Sequence, residues 1–361
     1  MEPTELNIRY RSEYQYSDGE LAYQIEGDNE SYLSLGHARR LDALPLITIT
    51  TIYISKTTRE RSEKKSGIKK NKNTENSTKT KHYDDSEDGL RDRTHSLRKG
   101  DDNTLPEDLA ESAPGHTYMD IHSKELLNVL RDIISYCPGC SLLGEELRVP
   151  EPYRILYLHR EELRAYKSKH PQWHDEAYRV ECNRHLDVLF GFLDKRYGKA
   201  IQDEKNRWAR KVPVCTFEYL WLLYKPGEVC YLDDYEGTNP YITQGILHGG
   251  LFGNAAYTYE IEMWNIDYDG YEVGGCSHTS WIAPFEGEKE IDSLKYYPAR
   301  FHKETEEAID AHNGRNFQQR LVARGKTFWD LAKEGPCYRQ YSGQAATSPF
   351  KKVILVAACR L

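Results

Sequence analysis

Long apolar runs are missing from this 361-residue chain. The longest extends from Val353 to Cys359, far short of the ~20 residues a membrane-spanning helix needs, so no membrane association is expected. The opening stretch MEPTELNIRYR has neither a basic head nor an apolar core to direct secretion. Cysteine is also sparse. Eight thiols spread along the chain exclude a disulfide-stapled scaffold. Together these absences imply an intracellular protein, cytoplasmic or nuclear, in which the sequons at Asn29 and Asn76 have no consequence.

What is present is unevenly distributed. Hydrophobic residues make up 39% and aromatic residues 12% of the chain, yet its mean hydropathy is -0.77. A very polar segment must therefore be concealed in the average. Residues 56–100 are that segment: fourteen Lys and Arg stand against eight Asp and Glu, with Ile68, Tyr83, Leu90 and Leu97 as the apolar side chains. Such a stretch buries too little apolar surface to offset the entropy of ordering it. Residues 213–343 are the opposite, with a net charge of -9, thirteen of the 27 Tyr and four of the six Trp.

Periodicity supplies the elements. Leu44 to Ile54 reads as an isolated strand rich in Ile and Thr. Leu126, Leu127, Val129, Leu130, Ile133 and Ile134 recur at helical spacing behind Ser123, a suitable N-cap. A second helix is expected through ILYLHREELRAY, and a third along the stripe Tyr178, Cys182, Leu186, Leu189, Leu193 and Tyr197. After a charged connector at 199–212 the period changes. Val229 to Leu232, Tyr241 to Leu247, Ala256 to Ile266 and Tyr271 to Ile282 read as strands, with a turn at Asp267–Gly270. Asn313 to Ala332 reads as a final amphipathic helix interrupted at Gly325.

The expected fold class is α+β, with a helical lead-in followed by an antiparallel β-rich domain and a C-terminal helix. Four regions result: a largely disordered arm over 1–116 carrying the basic segment, a helical segment over 117–212, a β-rich domain over 213–345, and a tail over 346–361 that ends abruptly.

Several phrases carry a family likeness. YKPGEV at 224–229, NIDYDG at 265–270, IAPFEGEKEIDSLKYYPARFH at 282–302, LVARGKTFWDLA at 321–332 and YRQYSGQA at 338–345 occur in order behind PYRILYLHREEL at 152–163. Together they resemble the domain of unknown function that precedes an AAA+ ATPase module in large fungal proteins. The resemblance implies an accessory domain with no catalytic residues to carry over, and this chain lacks the ATPase module.

Local motifs have ordinary explanations beside their chemical ones. Arg320 to Thr327 ends in the Gly-Lys-Thr of a phosphate-binding loop, but Arg320 stands where that loop needs glycine and helical residues lead in. No ATPase activity is expected. Cys137 and Cys140, with Cys182 and His185, have the residue types of a Cys₃His zinc site. Pro138-Gly139 is equally a plain turn, and Cys182 belongs to an apolar helix stripe, so neither metal nor cofactor is expected. Asp267 with Asp269, and Glu260 with Glu262, read as solvated charges, and Ser277-His278 lacks a nucleophile elbow. His248, His278 and His302 have no metal-ligand spacing. The acidic folded half argues against nucleic acid.

The surplus of Tyr and Trp is the remaining signal, since aromatic residues beyond the needs of a core line recognition surfaces. The expected function is a non-catalytic recognition or regulatory domain that binds a protein partner. Its candidate contacts are Asp267, Tyr268, Asp269 and Tyr341. The alternative is a small-molecule-binding or metal-dependent enzyme.

Overall fold

A computed structural model describes residues 8–28, 45–56, 105, 109–136, 141–234, 237–248, 258–268, 271–306, 309, 312 and 314–334. The basic segment at 57–100, the residues after 334 including the 346–361 tail, and Cys137 and Cys140 lie outside these. Two compact units emerge: Met1–Ser135 with Gly139–Phe190, and Tyr136–Pro138 with Gly191–Leu361. Compactness thus divides the chain between Phe190 and Gly191, inside a helix, and not at the composition shifts near residues 117 and 213.

The first unit opens with strands, which corrects the expected helical lead-in. A five-stranded sheet has the order β2-β1-β3-β4-β5, formed by β1 (Ile8–Gln15), β2 (Leu21–Gly27), β3 (Ile47–Ile54), β4 (Ala113–Ile121) and β5 (Leu147–Pro150). β1 runs parallel to β3, and the other pairings are antiparallel. The Ile/Thr-rich β3 is central, with Ile47, Thr48, Ile49 and Thr50 all buried. Neither β1 nor β2 shows apolar alternation, because their cohesion is polar and aromatic. Arg11 Nε donates to Glu26 Oε1 across the strands at 2.8 Å, and Tyr14 stacks on Tyr53 at 4.9 Å.

Helix α1 (Lys124–Ile133) starts where the capping rule places it, with Ser123 Oγ accepting from the Leu126 amide. Its residues Leu126, Leu127, Val129 and Leu130 are buried. The expected second helix is two short ones, α2 (Arg154–Leu158) and α3 (Arg160–Tyr166), broken at His159 where ψ rises to 14°. Helix α4 (Glu176–Leu193) buries Cys182, Leu186, Leu189 and Leu193 as one stripe. Burial pushes the Cys182 thiol up to about 11, the behaviour of a core residue.

In the second unit, the supposed connector is helical, since a five-residue π-helical turn (Asp194–Gly198) leads into α5 (Lys199–Trp208). α5 is anchored by Glu204, which accepts from the Thr216 amide at 2.9 Å and the Thr216 hydroxyl at 2.8 Å. Thr216 belongs to β6 (Val214–Thr216), which pairs with β11 (Glu288–Glu290). The larger sheet is antiparallel, order β10-β9-β8-β7-β12, from β7 (Val229–Asp234), β8 (Gly237–His248), β9 (Tyr259–Tyr268), β10 (Val273–Ile282) and β12 (Tyr296–Pro298). Alternation sorts its side chains. Cys230, Thr243, Tyr259, Ile261, Met263, Ile282 and Tyr296 are buried on one face, where Tyr224 stacks on Tyr296 at 5.5 Å. The opposite face carries Val229, Tyr231, Ile242, Trp264 and Ile266 and receives α6 (Phe317–Glu334). That helix passes through Gly325 without interruption. Among the described residues, no helix is long and apolar enough to cross a membrane.

Candidate functional site

Helix α6 covers only part of the sheet face it rests on. Its first turn is the anchor. The Phe317 ring lies edge-on to Tyr231 at 5.1 Å and 4.4 Å from His302, while the Phe317 amide donates to Glu304 Oε2 at 2.6 Å. Arg320, one turn on, pairs with Glu304 at 2.7 Å. Further along, Arg324 Nη2 donates to Asn239 Oδ1 of β8 at 3.0 Å. These contacts hold the helix above the strands and leave an opening on each side.

The smaller opening, of about 620 Å³, is lined by Tyr231, Arg300, His302, Glu304, Asn316 and Phe317 among others. Titratable groups converge here, but each is already engaged. Tyr297 and His302 share a hydrogen bond at 2.8 Å between the phenol and Nδ1, Arg300 pairs with Glu228, and Glu304 holds Arg320 and the Phe317 amide. Desolvation lowers the His302 pKa below its ordinary value, partly offset by Glu304. A neutral imidazole clamped between aromatic rings is a packing element, with no proton to offer near neutral pH.

The larger opening, of about 930 Å³, has a different character. Ile242, Trp264 and Ile266 of the sheet face Leu321, Phe328 and Trp329 of α6, with Asn239, Asn265, Asp267 and Arg324 as the polar groups. Its apolar walls reach solvent, with Ile266 56% and Trp329 48% exposed. Exposed aromatic and aliphatic side chains gathered beside a concavity are the mark of a binding surface. Asn265 is held by His278, whose Nε2 lies 3.1 Å from the Asn265 Oδ1. Asp267 stands exposed at the margin, where its carboxylate accepts from the Tyr268 amide at 2.8 Å.

Of the candidate contacts read from the sequence, Asp267 is thus a cleft residue at the end of β9, and Tyr268 is the last residue of that strand, half-buried. Both lie in the strand, whereas the sequence placed them in a turn. Asp269 and Tyr341 lie outside the described residues. Lys326 and Thr327 belong to the unbroken α6, with Thr327 Oγ1 donating to the Ala323 carbonyl at 3.1 Å, so no phosphate-cradling loop is formed there. Among the described residues, no three His, Cys, Asp or Glu side chains converge on a metal-sized space. Sequence reasoning missed the wall supplied by Phe328 and Trp329 as a partner to Trp264 and Ile266, although their spacing on an amphipathic helix was the available signal.

Residues 205–303 match a domain of unknown function (DUF7025). The match covers β6 to β12 and therefore the cleft floor, and it stops before α6. No curated protein matches the chain, and no solved structure does. The chain thus carries a domain of unknown function whose sheet floors the larger cleft.

Proposed function

We propose that this chain is a non-catalytic recognition domain, and that the larger cleft beside α6 receives an apolar side chain of a protein partner. The observation that carries the reading is the juxtaposition of exposed Trp264, Ile266 and Trp329 around one concavity with Asp267 at its rim. Aromatic walls supply affinity in such sites, and a rim carboxylate selects a basic neighbour and speeds the encounter. The resemblance to the region preceding an AAA+ module is consistent with this role. In that setting, the domain would present a partner or substrate to the motor without itself performing chemistry. The smaller cleft supports a small-molecule reading less well, because its His302, Glu304 and Arg300 are each already paired with a neighbouring residue.

The test uses the full chain as bait with a photo-crosslinking residue at position 266. The expected result is a cross-linked protein whose yield falls at least ~10-fold in Trp264→Ala/Trp329→Ala and falls with rising salt. Asp267→Lys should reduce the rate of capture with an unchanged melting temperature, since exposed ion pairs contribute only ~0–1 kcal/mol to stability. A cross-link that survives both substitutions would remove the cleft from the proposal.

A further inference from the structure

Strand β10 ends its sheet, and among the described residues no strand pairs with its outer side. Natural edge strands are usually blunted by Lys, Pro, a bulge or short length. β10 has none of these. Its sequence, VGGCSHTSWI, contains no Lys, Arg, Asp, Glu or Pro, and its register with β9 runs unbroken over ten residue pairs. An open, uncharged, regular edge of that length is a template for another strand.

The distribution of bulk along β10 points to which strand. Gly274 and Gly275 leave bare backbone at one end. Nothing lies within 4 Å of a Cβ placed on Gly274, and at Gly275 the nearest atom is a Trp264 ring carbon at 3.7 Å. At the other end Trp281 is 58% exposed. In an antiparallel two-fold pairing centred on His278, Trp281 of each copy falls opposite Gly275 of the other, and Ser277 opposite Thr279. The bulky end of one strand then covers the bare end of its partner, twice by symmetry. Trp281 would also reach the neighbouring Trp264, which is 36% exposed. The acidic residues Glu260 and Glu262 sit one strand back, three strand spacings, about 14 Å, from the same strand of the other copy, beyond the ~8–10 Å screening length.

We propose that β10 is a dimerisation edge, joining two copies of this chain through an antiparallel β10–β10 seam centred on His278. This edge meets the α6 cleft only at Trp264, and the inference does not depend on the cleft reading.

The full chain should show concentration-dependent dimerisation in sedimentation velocity over the micromolar range, as expected of a small strand-edge interface. Ser277 and Thr279 are exposed in the monomer. Ser277→Lys/Thr279→Lys should therefore leave the circular dichroism spectrum and melting temperature unchanged while abolishing the dimer, because like charges then face each other across the seam. Ser277→Glu/Thr279→Glu should also abolish the dimer, with a somewhat lower melting temperature because the new carboxylate at position 279 stands opposite Glu262 of β9. Mixing the two variants should restore a dimer containing one copy of each. Trp281→Ala offers an independent check, with dimer affinity expected to fall ~10-fold or more. A wild-type chain that stays monomeric throughout the range would overturn the proposal. So would a dimer that persists in the lysine variant, or one that mixing fails to recover.

Discussion

Glu204 has no solvent exposure, although it lies in a stretch that reads as a solvated connector. Its oxygens are fully used by Thr216, by Arg207 at 3.1 Å and by the Trp208 indole at 3.4 Å. Glu204→Ala would strand buried donors in both α5 and β6, and it should cost about 3 kcal/mol in urea denaturation. Glu204→Gln keeps an acceptor and should cost only about 1 kcal/mol. His302 makes a prediction of a different kind. In the unfolded chain it takes up its proton near pH 6.5, whereas burial beside Tyr231 and Phe317 lowers that value in the fold. Above about pH 6.5 the imidazole is neutral in both states and its burial carries no proton-linked cost. As pH falls below that point the unfolded chain is protonated first, so stability declines until the folded value is passed. Melting temperature should therefore drop between about pH 7 and pH 5, and His302→Phe should flatten that slope.

At the scale of elements, α6 is a continuous helix containing a glycine that nothing requires. Gly325 is exposed, and no atom lies within 4 Å of the point where a Cβ would stand. Gly325→Ala should raise stability by about 1 kcal/mol in thermal melts, since helical glycine costs about that relative to alanine. The sequence announces an interruption here because glycine is free to leave the helical conformation, but packing by Phe317, Leu321 and Phe328 overrides one weak residue. Elements with strong periodicity were legible in this way: α1, α4 and the β9–β10 pair lie close to where their patterns place them. β1 and β2 were not, because Arg9, Arg11 and Glu13 alternate with Tyr and Ser, and the strands cohere through ion pairs and ring stacking that no hydrophobic period reports. The site divides similarly. Asp267 could be picked out as a polar residue near a strand end. The cleft itself could not, because it arises from a helix lying across strands some fifty to ninety residues earlier in the chain, and one sequence does not show which faces meet.

Across the whole molecule, a net charge of -8 conceals a basic segment at 56–100 and an acidic, aromatic stretch at 213–343. Such a separation of charge makes any electrostatic association of the chain sensitive to salt. The two units also differ in the span of their sheet contacts. Consecutive strands in the second unit pair with one another from β7 to β10, whereas in the first unit β3 must await β4, with residues 55–112 between them. At ribosomal speeds of roughly 5–20 residues per second, β3 is complete for several seconds before its second neighbour has been made. During that interval ITITTIYI presents one unpaired side, uncharged and β-branched, in a compartment crowded with other nascent chains. Pausing translation between residues 55 and 112 should therefore lower the yield of folded protein, and a chaperone that covers this strand should restore it.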